Sequence, residues 1–261
     1  MIDLTDGLPV IETFDHYITF GDFDSRDFNL HLHRREAPTP RESEIVSSIP
    51  YRQGEIDLSF KAGYRIYNNR TVTYIFYRAA VEQEDVNKYQ TNLENQLMKI
   101  FNTALYDSFI EQYHYAGKCE SVNCEDDYYF KRMIIEITFN LHPFKIDSFS
   151  EGHGLWDPFN FELDVFQEVK FDLSKERQVV LLNPGVSPVR PGIEIDWGPT
   201  GAWDDDSVEV LMNGISYSFL DSVEQSNLTL KPGANTLTIV PYLREPSKEK
   251  TIQFLFYKEL I

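Results

Sequence analysis

The chain has few of the features that identify disulfide-bonded, membrane-spanning or secreted proteins. Two cysteines, Cys119 and Cys124, in 261 residues are too few for a disulfide framework. No segment approaches the run of about 20 apolar residues that a transmembrane helix needs. The first residues, MIDLTDGLPVIETFDHY, have neither a basic start nor a continuous apolar stretch, so they do not match a secretory signal. We therefore expect a chain that is made in the cytosol and stays there at first.

Motifs of several enzyme classes are also missing. The sequence has no G-x-S-x-G elbow, Walker A loop, G-x-G-x-x-G turn or H-E-x-x-H helix. Carboxylate pairs for glycoside hydrolysis cannot be chosen among 42 acidic residues, because that chemistry is defined by the distance between two carboxylates in space. We predict a protein without catalytic residues, cofactor or resident metal.

Positive charge is scarce. The 24 lysines and arginines against 42 acidic residues give a formal net charge of -18, which repels phosphate backbones and argues against nucleic-acid binding. The content of hydrophobic residues, 42%, with 14% aromatic residues, is sufficient for a substantial core. The composition therefore predicts a folded protein with an acidic surface.

Two cysteines with acidic neighbours form one possible metal site. Cys119 and Cys124, with His114 before them and Asp126 and Asp127 after them, carry side chains that suit zinc. Their spacing is not that of a zinc knuckle, and no second pair exists. We expect a polar hairpin or loop tip here.

Two other groups have the same ambiguity. His31 and His33 lie two apart in a strand-like segment and could bracket a metal, but without a third ligand we expect an exposed or interfacial pair. The run Asp204–Asp206, with Glu209 after it, could bind calcium through its oxygens. Because the alternation and glycine of an EF-hand loop are missing, we expect a solvated acidic turn.

The first half of the chain has the pattern of an α+β domain. Apolar residues alternate with polar ones from Ile56 to Phe60, and residues 70–77 (RTVTYIFY) are β-branched or aromatic almost throughout. From Val86 the apolar positions recur at steps of three and four, which predicts an amphipathic helix over about 84–106. One face of this helix should pack on a sheet.

The second half has the pattern of a β-sandwich. Beyond Gln178, short β-like segments alternate with turn signals about every ten residues, and Asn213-Gly214 is a strong hairpin signal. Residues 148–177, rich in aromatic and acidic residues, form either a bridging segment that packs on a neighbouring domain or subunit, or an ordered loop of their own domain. We predict a mostly β fold with one long helix, in domains of residues 1–147 and 148–261, the last strand belonging to either.

Several segments together resemble the distal tail protein (Dit) family of long-tailed bacteriophages. FGDFDSRDFNL, EAPTP and IPYRQGEIDLSF match the N-terminal half of that family, in which an aspartate- or serine-bearing turn, a proline-rich link and a Gly-Arg-x-Gly hairpin opening follow one another. The opening has the altered form Tyr51-Arg52-Gln53-Gly54. Asn183-Pro184-Gly185 and the later Asn-Gly hairpin are similar to the family's galectin-like C-terminal domain.

This resemblance implies a structural function. Members of the family form a ring of six at the tail tip or baseplate of the virion, between the tail tube protein and the tail-associated lysin or fibre-base protein, and they can anchor receptor-binding or baseplate upper proteins. A head-to-tail contact that rotates by a fixed angle closes into such a ring. DNA would only pass through its channel, and an acidic lumen would keep that DNA from adhering.

The proline link and the aromatic hairpin are the candidates for the contact between subunits. The residues concerned are Pro38, Pro40, Tyr51, Arg52, Tyr64, Tyr67, Tyr74 and Tyr77. A role in the core or in an ordinary loop is the alternative for each of them.

Two other functions stay open from the sequence. The C-terminal sandwich could be a carbohydrate-binding module, with Trp197 or Trp203 stacking on a sugar, although Asn183-Pro184-Gly185 lacks the His-x-Asn-Pro-Arg pattern of a galectin site. Core packing or partner contact is the alternative for both tryptophans. A hydrolase with unrecognised acids is the third class.

Overall fold

The fold of the chain consists almost entirely of β-strands. A computed structural model describes residues 16–51, 53–57, 59, 64–79, 86–127, 129–153, 165–199, 201–203 and 205–261. The chain divides into two compact units, Met1–Lys145 and Ile146–Ile261. Its described residues contain one α-helix, and no helix among them has the length and apolar character needed to cross a membrane.

The first unit is built on an antiparallel sheet. Its strands are β1 (Ile18–Phe20), β2 (Phe23–Asp24), β3 (His31–Glu36), β4 (Val46–Ser48), β5 (Glu55–Asp57), β6 (Arg70–Ala79), β7 (Thr103–Asp107), β8 (Tyr113–Asp127) and β9 (Arg132–Leu141). Seven of them follow one another in the order β2-β1-β7-β8-β9-β6-β3, and β4 and β5 pair separately. The alternation of buried and partly buried residues along β9 is the period of two that a half-buried strand requires.

The helix α1, Val86–Leu97, supplies the second layer of this unit. Tyr89, Leu93 and Leu97 lie on its buried face, and it packs on β8. The predicted end near residue 106 is wrong, because Phe101 is exposed and Ala104 lies in β7. The backbone of β7 pairs with both β1 and β8, and these two ladders outweigh the continued helical spacing of apolar residues. The predicted start at residue 84 lies outside the described residues.

The second unit contains two sheets that share one core. Its strands are β10 (Lys145–Ser150, the first residue of which still belongs to the first unit), β11 (Lys170–Asp172), β12 (Arg177–Asn183), β13 (Gly192–Asp196), β14 (Ser207–Met212), β15 (Ile215–Phe219), β16 (Gly233–Tyr242), β17 (Thr251–Leu255) and β18 (Tyr257–Leu260). One sheet has the order β11-β17-β13 and the other β12-β16-β14-β15. Residues of both sheets, such as Leu237 and Phe254, belong to one buried cluster.

Two sequence expectations can be located in this unit. Asn213 and Gly214, with φ of 54° and 78°, form the tight turn between β14 and β15, which confirms the predicted hairpin, because such a turn needs positive φ at both central residues. At the end of the chain, β17 pairs with β11 and β13, and β18 pairs with β10. In the segment predicted to bridge the domains, the aromatic residues Trp156, Phe159 and Phe161 lie outside the described residues.

Candidate subunit interface

A two-stranded arm, residues 41–68, leaves the first unit between β3 and β6. β4 and β5 pair within it. Its root is held by backbone hydrogen bonds from Ser43 N to Ile66 O (2.7 Å) and from Asn68 N to Arg41 O (2.8 Å). Tyr51 and Gly54, with φ of 67° and 79°, turn the chain at its tip. Tyr51, Gln53 and Gly54 of the unusual sequence thus lie where the arm reverses, and Arg52 lies outside the described residues.

The arm carries apolar side chains that the single chain leaves exposed. They are Ile45, Val46, Ile49, Tyr51, Tyr64 and Ile66. Single exposed apolar residues are common on proteins, but six of them on one short arm favour a surface that another molecule covers. The arm is therefore the strongest candidate for a contact in the first unit.

The structure separates the eight predicted interface residues into groups. Tyr51 and Tyr64 are exposed on the arm, and Pro38 is exposed in the link before it, whereas Pro40 is buried. At the root of the arm, the ring of Tyr67 packs edge-on against Phe144 with centroids 5.7 Å apart.

The other two predicted residues lie on β6. Tyr77 is partly buried and stacks on His33, with ring centroids 4.4 Å apart. Tyr74 is fully buried in the core, and its hydroxyl donates to the carboxylate of Asp107 at 2.7 Å. It therefore supports the fold from inside and offers no surface to a partner.

The strand β3 lies at one end of the sheet order and, within the described part of the chain, pairs with β6 alone. Its pairing register shifts between Leu32 and Arg34, and His33, Arg34 and Glu36 are exposed. Irregular pairing and charges are common protections of a sheet edge against uncontrolled pairing. These features protect the edge of β3 against unspecific pairing.

A buried polar network lies behind β3. The Asp107 carboxylate, completely buried, accepts from Arg35 Nε at 2.5 Å and from the backbone N–H of Phe109 at 2.9 Å. Burial, followed by the charge of Asp107, raises the pKa of Tyr74 well above its usual value, so its hydroxyl stays a donor. Because β3 and β7 are separated by three strands in the sheet order, this contact requires the sheet to curl.

Sequence reasoning did not find this network. Arg35 and Asp107 are 72 residues apart, and each lies at the end of a segment with the pattern of an ordinary strand. The local sequence indicates the network only through charged residues directly next to apolar strands. Examples are Arg70 before TVTYIFY and Asp107 after TALY. That signal does not identify a partner.

The candidate metal residues lie in different surroundings from those expected. Cys119 and Cys124 are within β8 and not at a hairpin or loop tip, and Cys119 is part of the core. Burial raises the pKa of Cys119 to about 12 and that of Cys124 to about 11. In the described part of the chain, no three His, Cys, Asp or Glu side chains come together in a way that could hold a metal ion.

The expected solvated turn at Asp204–Asp206 is wrong for Asp206, and Asp204 lies outside the described residues. Asp206 is buried and forms an ion pair with buried Lys250 at 3.2 Å. Its carboxylate also accepts from the backbone N–H groups of Trp203 (3.1 Å) and Arg244 (2.8 Å). Burial alone would raise the pKa of Asp206, but these hydrogen bonds and Lys250 lower it. The carboxylate thus fixes the loop instead of facing solvent.

The two candidate tryptophans lie on the second unit in unequal surroundings. Trp197 is partly buried against the core, while Trp203 is exposed and has the Arg244 guanidinium 4.9 Å from its ring centroid. A cation over the ring occupies one of the two faces on which a sugar could stack. This arrangement favours a structural or partner-contact role for Trp203.

Comparison with solved structures identifies the fold. No protein-family model and no curated protein matches the chain by sequence. The crystal structure of the Dit protein of phage SPP1 matches this chain with a TM-score of 0.61 at 11% sequence identity, over 94% of this chain and 99% of that one. That protein is described as a paradigm of the hub adsorption apparatus of phages that infect Gram-positive bacteria.

Two structures of the phage P2 baseplate in its activated conformation also match. The one with Ca has a TM-score of 0.41 at 10% identity over 93% of this chain and 97% of that chain. The one with Sr has a TM-score of 0.37 at 11% identity over 92% and 97%. The similarity to the SPP1 protein extends over both units. This chain therefore has the fold of a phage Dit protein along nearly its whole length.

Proposed function

We propose that this protein is a structural, non-enzymatic hub subunit of a bacteriophage tail tip or baseplate, six copies of which close into a ring. The observation that carries the proposal is the Dit fold over 94% of the chain, with no large part of either chain left unmatched. A partial match would have supported only a shared module. A match over both units supports a shared architecture, and with it the function of that architecture.

The first unit forms the ring in this proposal. The arm and the edge of β3 of one copy contact a different surface of the next copy, and a contact of this head-to-tail kind closes when its rotation fits a whole number of subunits. Apolar residues of the arm provide the buried centre of the interface, and Pro38, Tyr51, Arg52, Tyr64, Tyr67 and Tyr77 lie in or beside it. Cross-subunit pairing at β3 would satisfy an edge that is otherwise open.

The partners follow from the position of such a ring. The tail tube protein lies on one face, and the tail-associated lysin or fibre-base protein lies on the other. The second unit, as a galectin-like domain, points outward and anchors receptor-binding or baseplate upper proteins. The protein is then a virion component that assembles in the host cytoplasm. The net charge of -18 suits a channel through which DNA passes without binding.

Molar mass and particle shape test this proposal together. Size-exclusion chromatography with light scattering over a range of concentrations, followed by negative-stain images, should give a mass of six chains and rings with a central hole. A mass of one chain at every concentration, or particles without a hole, would contradict it.

A further inference from the structure

A buried arginine near the root of the arm has no anionic partner among the described residues. Arg70, the first residue of β6, is 5% exposed. One of its terminal nitrogens donates to the hydroxyl of Tyr115 at 3.2 Å, and its Nε is buried without a hydrogen-bond partner among the described residues. Burying a guanidinium costs free energy unless an anion or a full set of acceptors compensates it.

Two other cations surround it. Arg35 donates to the same Tyr115 hydroxyl at 3.1 Å, so two guanidinium groups share one hydroxyl oxygen. Burial, and then the charges of Arg70 and Arg35, lower the pKa of Lys145. The backbone register supports this proximity, because Arg70 on β6 pairs with Leu141 on β9, four residues before Lys145.

The nearby negative charge does not balance this group. Among the described residues, Asp107 provides the one carboxylate that an arginine of the group contacts. Its Oδ2 accepts from Arg35 and Tyr74, and its Oδ1 accepts from the backbone N–H of Phe109. Three positive charges and one negative charge leave an excess of two positive charges. This local excess is opposite in sign to the charge of the whole chain, which is -18.

The group is accessible from the surface at the root of the arm. The side chain of Arg35 is 21% exposed, and Lys145 is partly exposed. Tyr67, where the arm ends, packs on Phe144, the residue before Lys145. An anion could therefore reach the group from the side on which the arm leaves the unit.

We propose that Arg35, Arg70 and Lys145 form a binding site for a carboxylate, which an acidic side chain of a neighbouring copy supplies. Guanidinium groups bind carboxylates by paired, charge-assisted hydrogen bonds, and a chain with 42 acidic and 24 basic residues has many carboxylates to offer. The site is inferred from these contacts alone, whereas its occupant rests on the ring proposed above. In the ring, the contact would fix the register of one copy on the next.

The first arm of the test uses citrate as a probe on single chains. At a concentration where light scattering shows one chain, unfolding of the first unit is followed with a thiol-reactive dye, because both cysteines lie in that unit. Citrate is compared with sodium chloride at equal ionic strength, and Lys145→Met is compared with Lys118→Met, which removes the same charge from an exposed position on β8.

The site predicts a saturable rise of the unfolding temperature with citrate in the wild type and in Lys118→Met. In Lys145→Met the apparent dissociation constant of citrate should rise about tenfold, because one charged donor is lost, and Lys145→Arg should retain the response. Equal responses of Lys145→Met and Lys118→Met would overturn the site. The comparison of the two variants removes the general stabilising effect of citrate on proteins.

The second arm tests the source of the carboxylate. Where rings form, citrate should compete with the neighbouring copy and dissociate wild-type rings at a lower ionic strength than chloride does. Rings of Lys145→Met should dissociate at a lower ionic strength than rings of Lys118→Met. Rings that are indifferent to both changes would overturn the neighbouring copy as the source. If no ring forms at all, the proposed function fails, while the first arm still gives its answer on the site.

Discussion

Replacing Ile45 and Ile49 with aspartate should weaken the association of copies without unfolding the single chain. Both side chains lie on the arm, with 55% and 45% of their surface exposed. If a neighbouring copy covers the arm, the substitutions remove apolar burial and place two carboxylates in an apolar contact. In the isolated chain the same side chains face solvent, so the fold should tolerate them.

The size of the effect follows from the exposed fractions. Full burial of an isoleucine side chain is worth about 1.5–3 kcal/mol, and roughly half of each side chain, about 1 kcal/mol apiece, remains available for burial between copies. The two substitutions together should thus cost at least about 2 kcal/mol per contact, which corresponds to a roughly 30-fold weaker association. The added cost of desolvating the new carboxylates increases this figure.

Sedimentation velocity over a concentration series measures the association, and chemical denaturation measures the stability of the chain. Ile215→Asp is a matched control, because Ile215 is 56% exposed but lies on the second unit. Its unfolding free energy and that of the arm variant should both stay within about 0.5 kcal/mol of the wild type. If the arm variant assembles as well as Ile215→Asp does, no neighbouring copy covers the arm.

Three further outcomes test the interior of each unit. Lys250→Met should destabilise the second unit by about 3–5 kcal/mol, because it leaves the buried carboxylate of Asp206 without its cation. Tryptophan fluorescence reports unfolding of this unit alone, since all three tryptophans lie in it. As a control, Lys248→Met, at an exposed position, should have little effect. The pKa of Asp206 is lowered in the folded protein. Its contribution to stability is therefore complete above its unfolded pKa of about 4 and is lost as the pH falls from that value through the folded pKa. If the unfolding free energy of the second unit does not fall in acid, the stabilising role of this carboxylate is contradicted. Cys119 and Cys124, with pKa values raised to about 12 and 11, should react with iodoacetamide at neutral pH far more slowly than unfolded thiols do. Equal reaction rates before and after denaturation would contradict the protection of these thiols by the fold.

The sequence predicted the parts of the fold that depend on local chemistry. The Asn213-Gly214 turn is fixed by two residues that tolerate positive φ, and the strand character of residues 70–77 requires only their own side chains. The first buried residues of α1 were recognisable from their spacing for the same reason. The end of the helix at Leu97 was not recognisable, because pairing of β7 with β1 and β8 determines it.

The candidate site was only partly predictable. Tyr51 and Tyr64 of the arm were chosen as contact candidates through the family resemblance, but the exposure of the apolar residues around them depends on the sheet leaving them uncovered. Asp206 resembled a surface turn because its partner Lys250 is 44 residues away. The excess of cations around Arg70 is likewise a product of curling, which brings β3 towards β7 and β8.

Electron cryo-microscopy of the purified assembly can show the proposed ring itself. We expect six copies around an open channel, with residues 41–68 of each copy lying on the first unit of the next. Chains that remain single at all concentrations, or a closed particle in which the arms point into solvent, would contradict it.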